Sequence, residues 1–104
     1  MQKYRALVHY YFNKGMVKEG IRFLERELIK KAEEYGCHDV EIWQSEKDIN
    51  YVVGMGTWNS LEDARRFQAL WESKEQELTR LCINTPKREF FKIQSMYRES
   101  KKAA

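Results

Sequence analysis

Hydrophobic side chains alternate with polar ones in four segments of the chain and recur at helical spacing in two others. Residues 4–12 carry aromatic and branched side chains on both sides of the alternation, which is typical of a β-strand covered on both faces. After residues 13–15 an apolar stripe predicts an amphipathic helix of about five turns. This stripe comprises Val17, Ile21, Leu24, Leu28 and Tyr35. Gly36 follows the stripe and is expected to end the helix in the left-handed conformation.

The second half of the chain predicts a hairpin, a second helix and a last strand. Residues 40–45 and 51–58 alternate on either side of a polar stretch, so they predict two adjacent antiparallel strands. Ser60, with Asp63 three residues later, predicts the start of a helix. Its apolar stripe is interrupted by charged residues, which predicts a break or bend near Ser73. The stripe comprises Ala64, Phe67, Trp71, Leu78 and Cys82, and the interruption comprises Lys74 and Glu75. Pro86 ends the helical region, and residues 89–97 predict the last strand.

The order of predicted elements is therefore β-α-β-β-α-β. This split βαβ order gives an α+β, ferredoxin-like fold, in which a four-stranded antiparallel sheet carries both helices on one face. A length of 104 residues predicts a single domain over residues 1–104, with a polar tail from about residue 98. The second face of the sheet is too apolar to remain in water, so a second sheet or a set of nucleic acid bases must cover it.

Composition narrows the class of protein. The net charge is only +3, with 19 basic and 16 acidic residues interleaved along the chain, so binding to nucleic acid is not indicated. No apolar run reaches the roughly 18 residues of a membrane span, and a cytoplasmic protein without a membrane partner is expected. Cys37 and Cys82 are too few for a disulfide framework and are predicted to be buried thiols.

The segment from Tyr51 to Ser73 resembles the dimeric α/β barrel superfamily, and especially its antibiotic-biosynthesis-monooxygenase-like group. The pattern that carries the resemblance is Trp58-x-Ser60-x-Glu62-x-Ala64-x-x-Phe67. In that family the sheets of two copies pack face to face, and a small-molecule pocket lies between each sheet and its own helices. The resemblance therefore implies that the partner of this chain is a second copy of itself.

The resemblance also implies which residues face which side. It places Val8, Tyr10, Phe12, Val53 and Met55 towards the helices. The ligand pocket would comprise Tyr10, Phe12, Tyr51, Phe67 and Trp71. The dimer interface would comprise Leu7, His9, Tyr11, Trp43, Val52, Gly54, Gly56 and Trp58. Because Gly54 and Gly56 lie two apart on one strand, they predict close approach by another group, which this assignment identifies as the partner sheet.

The implied activity is that of a cofactor-independent monooxygenase-like enzyme acting on a small aromatic or apolar molecule. Haem-degrading members of the group use an asparagine, a tryptophan and a histidine, whereas Val8, Phe67 and Glu77 stand at the corresponding positions here, so haem chemistry is disfavoured. The quinone-forming members need no metal or flavin, and no cofactor is expected. A non-catalytic ligand-binding or assembly dimer remains the alternative, because nothing in the chain marks a catalytic residue.

Three other possibilities are weaker. Cys37, His38 and Asp39 have the residue types of a catalytic triad, but neighbours entering a strand point to opposite sides, so His38 is expected to face away from the other two. His9 is a candidate acid-base residue without an evident partner, and no metal-ligand spacing occurs. RNA-recognition domains need stacking aromatic side chains on the open face. The assignment above puts glycines there, which argues against an RNA-binding module.

Overall fold

The computed structural model describes residues 2–97 and contains one antiparallel sheet with helices on one side. The strands are β1 (Tyr4–Tyr11), β2 (His38–Gln44), β3 (Tyr51–Trp58) and β4 (Lys87–Lys92), in the order β2-β3-β1-β4. The helices are α1 (Val17–Phe23), α2 (Ile29–Glu34) and α3 (Leu61–Thr79), and a π-helical turn, Leu24–Leu28, joins α1 to α2. The ferredoxin-like β-α-β-β-α-β fold is confirmed. The predicted polar tail lies outside the described residues.

The helix ends follow the chemistry of their residues. Gly36 adopts a φ of 107° after α2, the left-handed conformation that glycine adopts most easily. The Ser60 hydroxyl accepts hydrogen bonds from the backbone N–H groups of Glu62 and Asp63 at 3.1 and 3.3 Å. Both predicted helix boundaries are therefore confirmed.

The predicted break near Ser73 is wrong, because α3 runs without interruption to Thr79. Its two interrupting charges have partners on other elements. Lys74 Nζ lies 3.5 Å from Glu27 Oε1, and Glu75 Oε2 lies 3.1 Å from Arg88 Nη2. These ion pairs replace the apolar contacts that the stripe lacks, so the helix can continue through the polar positions.

The strand register shows that the faces of β3 were assigned the wrong way round. Val8 pairs with Gly54 and Tyr10 with Val52, and Tyr10 and Val52 are both fully buried under the helices. Directly paired residues share a face of the sheet. The strand residues that face the helices are Ala6, Val8, Tyr10, Val52, Gly54, Gly56 and Trp58. The residues on the second face, here called the open face, include Leu7, His9, Tyr11, Tyr51 and Val53.

The close approach predicted for the two glycines comes from within the same chain. A Cβ atom built on Gly56 would lie 2.5 Å from Cys37 Sγ, and one built on Gly54 would lie 3.5 Å from Tyr10 Cε2. The glycines thus make room for the Cys37 thiol and the Tyr10 ring under the helices. The sequence assigned both glycines to a sheet-to-sheet interface, together with Val52 and Trp58. That assignment is wrong, because all four residues lie on the face of β3 that the helices cover.

Two apolar clusters fill the space between the sheet and the helices. The first includes Tyr10, Phe12, Leu24, Val52 and Leu78. The second includes Cys37, Trp58, Ala64, Phe67 and Trp71.

Cys37 and Cys82 are buried free thiols, as predicted, and burial raises the pKa of each to about 11. Among the described residues, no helix is both long and apolar enough to cross a membrane.

Candidate functional site

A cavity of about 60 Å³ lies between the sheet and the helices. Since one water needs roughly 10–15 Å³ of such space, the cavity has room for a small group of atoms. Its walls come from all four strands and both helical regions, and most of them are apolar. The lining residues are Ala6, Val8, Tyr10, Leu28, Ala32, Cys37, Val40, Ile42, Gly54, Met55, Gly56, Trp58, Ala64, Phe67, Gln68, Arg88 and Phe90.

Arg88 places a charged group in this apolar wall. Its side chain extends from β4 towards the helices and donates from Nη2 to Glu75 Oε1 and Oε2 at 3.4 and 3.1 Å. The two side chains are only 17% and 15% exposed. Because both contacts use Nη2, the N–H groups on Nε and Nη1 are not committed to Glu75. Glu75 therefore holds the guanidinium beside the cavity and leaves donors for another acceptor.

The Tyr10 hydroxyl is the second polar group of interest. It is buried and has no hydrogen-bond partner among the described residues. Burial raises the pKa of Tyr10 well above its ordinary value, while the nearby Arg88 charge lowers it and the Glu75 charge raises it. The hydroxyl thus stays protonated as a donor, and an unpaired buried donor of this kind costs about 1–3 kcal/mol. A ligand oxygen placed beside it would remove that cost.

Among residues 2–97, the cavity lining contains no imidazole and no carboxylate that could act as a base for a nucleophile. Burial raises the pKa of the Cys37 thiol to about 11, so this thiol stays protonated and is a poor nucleophile. His38 does bond Asp39, with 3.0 Å between Nδ1 and Oδ2, contrary to prediction. Asp39 has a φ of 53°, and this irregular backbone turns its side chain towards His38. The pair is exposed and faces away from the cavity.

Only part of the predicted pocket lines the cavity. Tyr10 and Phe67 are in its wall, whereas Phe12 and Trp71 are buried in the core without lining it. Tyr51 lies on the open face, because it pairs with Tyr11 in the strand register. Its assignment to the pocket is wrong for the same reason as the exchanged faces of β3.

A hydrogen-bonded network on the open face was not foreseen. His9 Nδ1 lies 2.8 Å from the Tyr51 hydroxyl, and His9 Nε2 lies 2.9 Å from Glu89 Oε1. The Tyr11 and Tyr51 rings stack, with 4.5 Å between centroids. Desolvation raises the pKa of Tyr51, and its contact with Tyr11 raises it further. His9 therefore has both an acidic and a phenolic partner, which the register of β1 with β3 and β4 brings to it.

Sequence reasoning also missed the importance of Arg88. Its place between Lys87 and the strand end at Lys92 suggests a solvated edge, but its side chain is only 17% exposed and is paired with Glu75. The available signal was the charge at Glu75 on an apolar helix stripe, which called for a basic partner.

The three positions compared with the haem-degrading members do not all lie at the cavity. Val8 and Phe67 line the cavity, and Glu77 is about half exposed and lies 3.9 Å from Lys74. In the part of the chain that the structure describes, no cluster of three histidine, cysteine or acidic side chains could hold a metal ion.

The same arrangement of sheet and helices is found in antibiotic-biosynthesis-monooxygenase-like proteins with a ferredoxin-like fold. A monooxygenase from the gene ActVA-Orf6 of Streptomyces coelicolor, in complex with nanaomycin D, superposes with a TM-score of 0.79 at 16% identity, covering 93% of this chain and 92% of that one. SnoaB, a cofactor-independent oxygenase from Streptomyces nogalater, gives 0.75 at 16% identity, covering 93% and 98%.

A dimeric ferredoxin-like protein from an uncultured marine organism gives a TM-score of 0.75 at 10% identity, covering 96% of this chain and 95% of that one. No family profile and no curated protein sequence matches the chain. At these identities the likenesses establish the fold, and the fold alone does not define an activity.

Proposed function

We propose that this protein is a homodimer that binds a small hydroxyaromatic molecule in the cavity under its helices and oxidises it as a cofactor-independent monooxygenase. The observation that carries the proposal is the Arg88 guanidinium, held by Glu75 in an otherwise apolar wall. An apolar pocket with a few convergent polar groups is the usual form of a small-molecule site. The oxygenases among the structural neighbours support the choice of reaction.

Different residues contact the ring of the substrate and its hydroxyl oxygen. The apolar walls, including Val8 and Phe90, bind the ring, while Arg88 and Tyr10 donate hydrogen bonds to its hydroxyl oxygen. The positive charge of Arg88 favours the phenolate form, which is electron-rich and reacts with O₂. One oxygen atom of O₂ enters the ring as a carbonyl. The other leaves as water with the hydrogens of the ring C–H and the hydroxyl, so the substrate is oxidised to a quinone and supplies all the electrons.

The dimer would form through the open face. Tyr11, Trp43 and Phe91 are between 38% and 47% exposed, and Leu7 and Val53 lie between them on the sheet. Large apolar side chains exposed together on one sheet face favour an interaction site, and a second copy of the sheet would cover them face to face. Of the interface residues expected from the sequence, Leu7, His9, Tyr11 and Trp43 remain in this proposal, and Tyr51, Val53 and Phe91 join them.

Binding and turnover can be tested with 4-methylphenol and its hydrocarbon analogue toluene. Calorimetry should show that wild-type protein prefers the phenol, and that Tyr10→Phe and the double variant Glu75→Leu/Arg88→Met lose that preference by roughly tenfold each. The double variant avoids leaving a buried charge unpaired. An oxygen electrode then separates the two classes of function. Binding without oxygen uptake would favour the non-catalytic alternative, and no binding of either compound would refute the cavity as the site.

The dimer can be tested at two neighbouring valines that point to opposite faces. Val53→Lys puts a charge on the open face and should yield a folded monomer by light scattering behind size exclusion. Val52→Lys puts the same charge under the helices, where Val52 is fully buried, and should unfold the chain. A wild-type protein that is monomeric at micromolar concentration would refute the dimer.

RNA binding also needs a test, because Gly54 and Gly56 lie under the helices and no longer argue against base stacking on the open face. Tyr51 joins Tyr11 on that face, but their rings stack on each other, and Glu89 adds negative charge beside them. Both features oppose stacking on bases along a phosphate backbone. Salt-sensitive, submicromolar binding to single-stranded RNA in a filter assay would reverse this ranking.

A further inference from the structure

A second space lies on the outer side of the helices, between the first helical region and α3. This cleft has a volume of about 240 Å³, four times that of the inner cavity by the same measure. Tyr35, Phe67 and Trp71 contribute aromatic side chains to it, and the ion pair between Lys74 and Glu27 lies at its rim. No sequence feature pointed to this cleft.

Phe67 is the residue that the linings of the two spaces share among the described residues. Its ring is 8% exposed and stands between two tryptophans, with centroid distances of 5.7 Å to Trp58 and 6.1 Å to Trp71. Trp58 lines the inner cavity, whereas Trp71 lines the cleft. Phe67 therefore lies at the boundary between the two spaces.

The first helical region likewise contributes neighbouring residues to both spaces. Leu28 lines the inner cavity and its neighbour Glu27 lines the cleft, and both belong to the π-helical turn Leu24–Leu28. Turns of this kind are uncommon and occur frequently at functional sites. Phe67 also contacts the first helical region at Tyr35, with 5.8 Å between ring centroids, so its side chain lies where the two linings meet.

We propose that Phe67 determines specificity by acting as the end wall of the ligand site. The inference rests on the proposed function and names the substrate class more closely. With the ring in place, the inner cavity takes a single-ring phenol and excludes a fused two-ring one. Without it, the cavity extends into the cleft and admits the longer molecule, whose second ring contacts Tyr35 and Trp71.

The test compares 4-methylphenol with 2-naphthol by calorimetry. Wild-type protein should favour the single-ring phenol, and Phe67→Ala should shift the ratio of affinities towards 2-naphthol by roughly tenfold or more. Leu70→Ala is the matched control, because Leu70 lies three residues further along α3 and lines only the cleft; it should leave the ratio unchanged. Phe67→Leu keeps more of the core and carries the test if Phe67→Ala does not fold.

A second readout does not depend on any ligand. Trp58 becomes the only indole of the chain in a Trp43→Phe/Trp71→Phe background, and acrylamide quenching then reports access to the inner cavity. Opening the wall with Phe67→Ala or Phe67→Leu should raise the quenching constant of Trp58 several-fold, whereas Leu70→Ala should not. Circular dichroism would verify that each variant is folded.

The outcomes separate the two proposals. An unchanged affinity ratio in a variant that still binds 4-methylphenol overturns the role of Phe67 and leaves the proposed function intact. Failure of every variant to bind either phenol refutes the proposed function. The quenching constant of Trp58 then decides by itself whether Phe67 separates the two spaces. If that constant is also unchanged, the two spaces are not separated by Phe67.

Discussion

The ion pair between Glu75 and Arg88 should be the most sensitive polar contact in the fold. Removing one partner of a buried pair costs about 3–5 kcal/mol, whereas an exposed pair contributes about 0–1 kcal/mol. At 15% and 17% exposure this pair lies near the buried limit, so Glu75→Leu and Arg88→Met should each cost about 3 kcal/mol. The double variant leaves no unpaired charge, and it should be no less stable than the weaker single variant.

Urea unfolding at neutral pH measures all three variants in one double-mutant cycle. Lys31→Ala is the control, since its contact with Glu34 is 3.9 Å long and 65% and 64% exposed; it should change the free energy of unfolding by less than about 0.5 kcal/mol. The reasoning would be refuted if Glu75→Leu were as mild as this control, or if the double variant lost the sum of both single effects.

Three further predictions concern other parts of the fold. Gly56→Ala should lower the free energy of unfolding by about 1–3 kcal/mol through overpacking, because its Cβ would lie 2.5 Å from Cys37 Sγ; urea unfolding should show much of this loss restored in a Cys37→Ala background, and equal costs in both backgrounds would contradict the contact. Ser60→Ala should cost about 1 kcal/mol by removing the cap of α3, whereas Ser60→Asp should retain most of the stability; equal thermal midpoints for Ser60→Ala and wild type would argue against the cap. Stability should fall between pH 9 and about 11, because the folded state raises the thiol pKa values from 9.0 to about 11 and the unfolded chain loses those protons first; the fall should be shallower in Cys37→Ala, and an identical slope would show that Cys37 does not contribute.

Local patterns in the sequence predict the elements of this fold well. The stripe from Val17, the glycine at 36 and the cap at Ser60 each depend on residues within a few positions of one another, and all three are present in the structure. The faces of β3 could not be predicted in the same way. Val52 and Val53 are identical side chains on adjacent residues, so alternation cannot tell which one is covered by helices, and a slip of one residue exchanges every assignment.

The polar positions of α3 show a second limit. Lys74 and Glu75 looked like an interruption because a helical stripe is judged against solvent, not against partners on other elements. Glu27 lies far back along the chain and Arg88 lies on the following strand, and only the folded sheet brings them to α3. A charge on an apolar stripe indicated that a partner was needed without indicating which residue it is.

The candidate site is built from such long-range partners. Tyr10 and Arg88 come together because β1 pairs with β4 and places Val8 opposite Arg88, and Glu75 then orients the guanidinium from α3. None of these residues is needed to form its own strand or helix. Replacing the ion pair by apolar side chains of similar size should therefore leave the fold in place while removing the charged group from the cavity. In this protein the apolar pattern determines the fold, whereas the half-buried pair of Glu75 and Arg88 supplies the charged group in the cavity lining.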